Sequence, residues 1–139
     1  MKTDAKIERP GFAFRLDAHS GVPVYRQLID QVQAAMATGA LSPGDQLPTV
    51  RHVAVELAIN PNTVLRAYRE MEIRGILDTQ QGTGTFIADK QVEPAPEERE
   101  RQLAQLAGEF VSRAGAAGLT VGELIEALRQ LSNEGQPRR

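Results

Sequence analysis

Residues 47–87 contain two short amphipathic segments separated by about three residues. In the first segment, apolar side chains recur at i, i+3, i+4 and i+7, which places them on one stripe of a helix of about two turns: Val50, Val53, Ala54 and Leu57. Thr49 precedes this stripe and is the expected N-cap. Two short helices joined this closely are typical of a helix-turn-helix, although two amphipathic helices can also simply pack together in any helical protein.

The second segment has a clearly marked start and end. The Asn60 side chain can accept a hydrogen bond from a free N–H of the first turn, and Pro61 occupies the first helical position, where no N–H is needed. Gly75 is the expected C-terminal stop. Apolar residues at positions 64, 68 and 71 share one face, so the opposite face is predicted to point outward. That face carries Asn62, Thr63, Arg66, Arg69, Glu70 and Arg74.

A β-hairpin is predicted directly after these helices. Residues 76–80 and 85–88 have strand character, and the Gly-rich stretch 81–84 between them is a turn. A helix-turn-helix followed by such a hairpin is a winged helix, so the expected fold is mainly α with a small β-hairpin wing. In that fold the polar side of the second helix faces the major groove of double-stranded DNA.

Composition limits the other classes of function. The chain has 139 residues, a formal net charge of −2 and no Cys, so it has neither a disulfide framework nor a thiolate metal site. Two isolated His residues predict no metal site either. Residues 1–90 carry ten basic and ten acidic side chains, and this neutral balance argues mildly against a nucleic-acid-binding protein. A local positive patch can nevertheless exist on a neutral chain. With no apolar run of membrane-spanning length and no apolar signal core, we expect a soluble cytoplasmic protein.

Residues 1–19 are predicted to form an N-terminal arm, and residues 20–90 the winged-helix domain. The first helix of that domain follows the arm. Phe12, Phe14 and Leu16 alternate with polar or small residues, which predicts one short strand with an apolar face. The periodicity at 28, 32, 35 and 36 predicts a helix over residues 24–38 that ends at Gly39. Its first turn, residues 25–27, could hold a phosphate or could be an ordinary solvated helix start.

The C-terminal part begins after a Pro-rich linker, residues 91–96. Two helices are predicted within residues 97–132, the second of which starts at the capping-box pattern Thr120 to Glu123, and residues 133–139 form a tail. Two helices cannot close a core by themselves, so a helical hairpin that pairs with a second copy is expected. The alternative is that the hairpin folds back onto its own chain. The candidate dimer residues are Leu103, Leu106, Phe110, Leu124, Leu128 and Leu131.

Several separated motifs together resemble the GntR family of bacterial transcription regulators. They are the Pro23–Leu28 stretch, the Gly39–Arg51 run, Asn60–Val64 and Gly82–Phe86, and they agree in order and spacing over roughly residues 20–88. The Pro-Val-Tyr start, the Asn-Pro-Asn-Thr-Val turn and the short C-terminal part make the chain most similar to the YtrA subfamily. The resemblance implies a winged helix-turn-helix that binds DNA.

The resemblance also implies roles for particular residues. Arg51 corresponds to the family's arginine at the start of the second helix, which reaches DNA. Many members have Glu shortly after it and so close a capping box, whereas this chain has His52. Either the helix starts less firmly, or His52 contacts a phosphate, or it is an exposed residue without a role. Side chains in the first turns of the recognition helix meet base edges, and the wing tip approaches the DNA backbone. The complete predicted DNA-binding set is Arg51, His52, Asn62, Thr63, Arg66, Arg69, Gln81, Gly82 and Thr83.

These features predict a homodimeric regulator that recognises a palindromic operator and acts as a repressor by occluding a promoter. The YtrA resemblance suggests a transporter operon as the target. No nucleophile and base with supporting spacing are found, so neither catalysis nor a cofactor is expected, and the sequence identifies no small-molecule effector. The alternative function is a winged helix used as a protein-docking module, which the neutral charge would permit.

Overall fold

The computed structural model describes residues 12–89 and 93–135, which divide into two compact units with the boundary between residues 89 and 93. The first unit has three helices and a small sheet, and the second has two helices, so the predicted mainly α fold with a wing is confirmed. The elements are α1 Val24–Thr38, β1 Gln46–Leu47, α2 Val50–Leu57, α3 Pro61–Ile73, β2 Leu77–Gln80, β3 Gly84–Ile87, α4 Pro96–Ala116 and α5 Val121–Gly135.

Helix α1 has the bounds that its periodicity predicts. It ends at Gly39, whose φ of 87° lies in the left-handed region that glycine adopts without a steric penalty. Its buried face is Leu28, Ile29, Val32 and Ala35, while Met36, which was expected to be buried, is only partly covered. This helix supplies one wall of the core of the first unit.

The helix-turn-helix forms with the predicted caps. Thr49 Oγ1 accepts a hydrogen bond from the His52 N–H at 3.0 Å, and Asn60 Oδ1 accepts one from the Asn62 N–H at 2.8 Å. Helix α3 ends in a Schellman arrangement around Gly75, in which the N–H groups of residues 75 and 76 donate to the carbonyls of residues 72 and 71. Each of these signals lies within one turn of the helix end that it defines.

The sheet has three antiparallel strands in the order β1-β3-β2. The sequence predicted the two strands of the wing, β2 and β3, but not β1. Strand β1 has two residues, too few to show a period-2 pattern. It pairs with β3 through Gln46 opposite Phe86 and Leu47 opposite Thr85. The wing is therefore joined on one edge to the segment that leads into α2.

The buried core lies between α1, α2, α3 and the sheet. Leu28, Val32, Leu47, Val64 and Met71 are at most 1% exposed. The Tyr68 side chain also enters this core, and its hydroxyl donates to the Pro48 carbonyl oxygen at 2.6 Å, because a buried phenol needs an acceptor. The packing of α3 against the turn before α2 thereby fixes the helix-turn-helix geometry.

The predicted strand over residues 12–17 does not form. Its apolar side chains at positions 12, 14 and 16 pack partly buried against the core, as their alternation indicated, but none of the described strands pairs with it. Instead, glutamine side chains of α1 satisfy its backbone. The Arg15 N–H donates to Gln31 Oε1 at 2.8 Å, and the Asp17 N–H donates to Gln27 Oε1 at 2.9 Å; both amides also donate back to the same residues' carbonyls. Residues 1–11 of the predicted arm lie outside the described residues.

The second unit contains two helices that are each longer than predicted. Pro96 is already in the first turn of α4, where proline is tolerated. The expected linker 91–96 therefore ends one residue earlier. Residues 91 and 92 of that linker lie outside the described residues. Helix α5 extends to Gly135 rather than ending near residue 132. Its predicted capping box is confirmed, since the Thr120 N–H donates to Glu123 Oε1 at 2.9 Å and the Glu123 N–H donates to Thr120 Oγ1 at 3.1 Å.

Candidate nucleic-acid interface

The solvent-facing side of α3 is polar, and the opposite side is used by the core. Asn62, Arg66 and Arg69 are exposed, while Thr63 is partly buried. These side chains, apart from Thr63, line an open depression along the helix together with Glu70 and two apolar residues that were not in the predicted set, Leu65 and Ile73. The outward face predicted for this helix is therefore the exposed face.

The N-terminal turn of α3 combines a fixed backbone with a free side chain. The N–H of Asn62 is satisfied by the Asn60 cap, and the side chain of Asn62 is exposed. An amide side chain at this position offers a donor and an acceptor together, which is the pattern that pairs with the major-groove edge of adenine.

Arg66 lies one turn further along α3 and rests on an aromatic ring. Its guanidinium carbon is 3.8 Å from the centroid of the Tyr25 ring, a cation–π contact between α3 and the first turn of α1. Tyr25 is itself partly buried and packs against the core. Sequence reasoning placed Arg66 on the outward face but did not find this support.

The C-terminal half of the same face contains an ion pair. Arg74 Nε lies 3.1 Å from Glu70 Oε2 across one helical turn, and both side chains are about 40% exposed. An exposed pair of this kind contributes little stability but reduces the positive charge that Arg74 presents. Arg69 therefore contributes more to a local positive patch than Arg74 does.

Arg51 and His52 lie in the first turn of α2, and both side chains are exposed. The Thr49 cap holds this turn through the backbone N–H of His52, so the start of the helix is capped even though the position has no Glu. One of the two hydrogen bonds of a capping box is therefore present, and the reciprocal bond from Glu is not.

The wing tip is formed by Gln81, Gly82 and Thr83, all of which are exposed. Gly82 has a φ of 77°, and the Thr83 N–H donates to the Gln80 carbonyl at 3.0 Å to close the turn. The side chain of Gln46 in β1 donates to the Thr83 carbonyl at 3.2 Å. Gln46 thus braces the tip, a role that sequence reasoning missed because the two residues are 37 positions apart.

In the first turn of α1, two of the three side chains considered for a phosphate contact are engaged within the protein. The Gln27 side chain is occupied by the preceding turn, where its Nε2 donates to Asp17 O, Ser20 Oγ and Val22 O. Tyr25 lies beneath Arg66, which leaves Arg26 as the exposed polar side chain of that turn. These residues hold the loop and the arginine in place.

The candidate dimer residues lie on two helices that bury very little by themselves. In the described part of α4 and α5, Ala114 is the buried residue, and Leu124 is partly buried. The remaining candidates, between 42% and 66% exposed, are Leu103, Leu106, Phe110, Leu128 and Leu131. These large apolar side chains form an exposed apolar row on the two helices.

The described part of the chain offers neither a metal-binding cluster nor a membrane-spanning helix. Over residues 12–89 and 93–135, no cluster of three or more His, Cys, Asp or Glu side chains is arranged to hold a metal ion. None of the helices described is both long and apolar enough to cross a lipid bilayer.

Comparison with known proteins agrees with this architecture. Residues 24–87 match the model of the gntR family of bacterial regulatory proteins. The chain is 38% identical to the HTH-type transcriptional regulator YhcF of Bacillus subtilis, covering 84% of this chain and 95% of YhcF. It is 33% identical to the HTH-type transcriptional repressor YtrA of the same organism, covering 85% of this chain and 91% of YtrA.

A solved structure gives the same result. The chain is 30% identical to a GntR family transcriptional regulator from Listeria monocytogenes, with a TM-score of 0.56, covering 83% of this chain and 98% of that one. The similarity to YhcF, YtrA and the Listeria protein includes the short C-terminal part as well as the winged helix, because nearly the full length of each is covered. The chain therefore belongs to the GntR family of DNA-binding transcription regulators and is of the YtrA-like type.

Proposed function

We propose that the protein is a homodimeric repressor that binds a palindromic operator through the outward face of α3. The observation that carries the proposal is the division of α3 into two faces. Its apolar side is fully used by the core, with Val64, Ala67 and Met71 at 0% exposure, while its polar side remains open to solvent. A helix held so firmly on one side and open on the other is suited to enter a major groove.

The charges around this face support binding to DNA. Arg51, Arg66 and Arg69 are exposed, and no carboxylate among the described residues forms an ion pair with any of them. Because residues 1–90 are neutral overall, the attraction to DNA phosphates comes from this local patch. The affinity for DNA should therefore depend only moderately on salt concentration. His52 and the wing residues 81–83 are proposed to contact the flanking backbone, while Asn62 and Thr63 meet base edges together with Arg66.

Dimerisation is proposed to occur through α4 and α5. Burying about eight aliphatic or aromatic side chains at roughly 1.5–3 kcal/mol each exceeds the usual cost of association, so a second copy is a sufficient partner. A two-fold dimer presents two recognition helices in opposite orientations, and the matching DNA site is a palindrome with half-sites about one helical turn apart or a multiple of it.

Repression is supported by the name of the relative YtrA, which is a transcriptional repressor. Occupation of a promoter by a dimer blocks polymerase without any catalytic step, and the proposed site of action is cytoplasmic DNA. Control of a transporter operon is proposed from the YtrA-like type.

The experiment that tests the proposal is selection of binding sites from random double-stranded DNA with the full-length protein. We expect enrichment of one palindrome, bound at least about a thousandfold more tightly than a random duplex at the same salt concentration. A protein-docking module without DNA readout would instead show weak binding that is equal for all duplexes. Recovery of no enriched sequence would reject the proposal.

A further inference from the structure

The contact between Arg66 and Tyr25 links the proposed reading face to a helix outside the helix-turn-helix. Arg66 is exposed on α3, and its guanidinium carbon lies 3.8 Å above the centre of a ring that belongs to α1. At this distance the guanidinium is in direct contact with the face of the ring rather than with its edge or hydroxyl. The contact joins two elements that are distant in the sequence.

The ring is held in place independently of Arg66. Tyr25 packs against the core, and the next turn of the same helix contributes Leu28 and Ile29, which are almost completely buried. The loop before α1 is tied down as well, because Gln27 binds three of its groups. The aromatic face is therefore a fixed platform for the side chain above it.

A fixed platform matters for an arginine because its long side chain loses much conformational entropy when it binds a ligand. A ring face attracts the guanidinium without using its N–H groups, so the donors stay available for an acceptor. In the major groove, the edge that offers two acceptors to such a fork is that of guanine, with N7 and O6.

We propose that Tyr25 is a positioning residue that holds Arg66 ready to read a guanine in the operator half-site. This inference rests on the proposed function, and it adds a residue of α1 and a base preference to it. The competing explanation is that Tyr25 is only a core side chain and that Arg66 happens to cover it.

The test is a titration of the tightest duplex recovered by selection and of a random duplex, at one salt concentration. The proteins are the wild type, Tyr25→Phe, Tyr25→Leu, Arg66→Ala and the double variant Tyr25→Leu with Arg66→Ala. We expect Tyr25→Phe to bind within about twofold of the wild type, because Phe keeps the ring face, and Tyr25→Leu to bind the selected duplex roughly threefold to tenfold more weakly. Binding to the random duplex should be unchanged.

The double variant separates positioning from packing. If Tyr25 acts through Arg66, Tyr25→Leu has no further effect once Arg66 is replaced by Ala. Replacing the guanine of each half-site by adenine should likewise remove the difference between Tyr25→Leu and the wild type. An additive loss in the double variant, or an equal loss on both duplexes, would show a structural role only and overturn the inference. A loss already present in Tyr25→Phe would assign the contact to the hydroxyl and overturn it too.

A measurement on the free protein keeps the inference testable if Tyr25→Leu folds poorly. Protons of Arg66 that lie over an aromatic ring resonate upfield of their usual positions, so the wild type and Tyr25→Phe should both show this shift. An Arg66 side chain at its usual position in the free wild type would overturn the inference. A wild type that does not distinguish the selected duplex from the random one would instead reject the proposed function itself.

Discussion

The side-chain Nε2 of Gln46 lies 3.2 Å from the carbonyl oxygen of Thr83, so the segment that leads into α2 holds the tip of the wing. Strand β1 reinforces this link by pairing with β3. As a result, the wing and the start of the helix-turn-helix have a defined relative position before any DNA is bound.

Substitution of Gly84 by Ala tests this brace. Gly84 has a φ of 141°, and an added Cβ would lie 2.4 Å from Gln46 Nε2, so the amide would have to leave Thr83. We expect Gly84→Ala to lower the free energy of unfolding by about 1–3 kcal/mol, measured by urea denaturation. Gly84→Ala in a Gln46→Ala background is the control, because the φ of 141° strains an alanine whether or not the Gln46 amide is present. Equal losses in the two backgrounds would contradict a specific role for Gln46.

Replacement of Tyr68 by Phe removes the hydrogen bond to the Pro48 carbonyl. We expect a loss of about 1–3 kcal/mol in unfolding free energy at neutral pH, because a poorly solvated carbonyl is left without its donor. Burial also raises the pKa of the Tyr68 phenol. The unfolded chain therefore loses this proton first, near pH 10, and the stability of the wild type falls as pH rises above that value.

The pH dependence supplies the check on Tyr68. Urea denaturation of the wild type and of Tyr68→Phe from pH 7 to pH 11 should give a constant difference up to about pH 10 and a shrinking one above it. A difference that stays constant to pH 11 would show that Tyr68 ionises equally in both states.

Ala58 has a φ of 56°, which places a residue with a Cβ in the left-handed region at the end of α2. Ala58→Gly should therefore raise the free energy of unfolding by up to about 1 kcal/mol, since the relieved strain outweighs the added freedom of the unfolded chain. Ala34→Gly, at an exposed position inside α1, is the control and should lower it by about 0.5–1 kcal/mol. The change in unfolding free energy is measured by thermal or urea denaturation. A change of the same sign in both variants would show that Ala58 is not strained.

Arg66→Ala should weaken binding to the selected operator by about 1–3 kcal/mol without changing the fold, because it removes a forked donor from an exposed position. A titration at fixed salt measures the loss, and circular dichroism monitors the fold. Arg99→Ala removes the same charge from α4, outside the winged helix, and should leave affinity unchanged. Equal affinity for Arg66→Ala and the wild type would remove Arg66 from the interface.

If the proposed dimer forms through α4 and α5, Leu128→Glu should convert it into monomers, because the substitution puts a charge into the apolar row of α5. Sedimentation equilibrium at micromolar concentration measures the mass. Gln130→Glu introduces the same charge at an exposed polar position of that helix, and it should remain dimeric. If Leu128→Glu also sediments as a dimer, the contact lies elsewhere on the chain.

The features that the sequence predicted correctly are local ones. The start of α3 at Asn60 and Pro61, the end at Gly75 and the capping box from Thr120 to Glu123 all depend on hydrogen bonds within about one helical turn. The outward position of Asn62, Arg66 and Arg69 was readable for the same reason, since the periodicity of a helix assigns each residue to a face. The backbone hydrogen bonds of a helix form within the helix itself, so its position in the sequence can be predicted without knowing its neighbours in the fold.

Only the tertiary structure decided the contacts between elements. It turned the predicted strand at residues 12–17 into a segment bound by Gln27 and Gln31, added β1 to the wing, and placed Arg66 over Tyr25. A strand needs a second strand beside it, and a contact between side chains of two elements needs both elements in place. In both cases the packing of the whole unit brings the partner near. Periodicity and capping therefore determined which helices form and which faces they expose. How those helices pack decided which residues contact Arg66, the wing and the N-terminal segment.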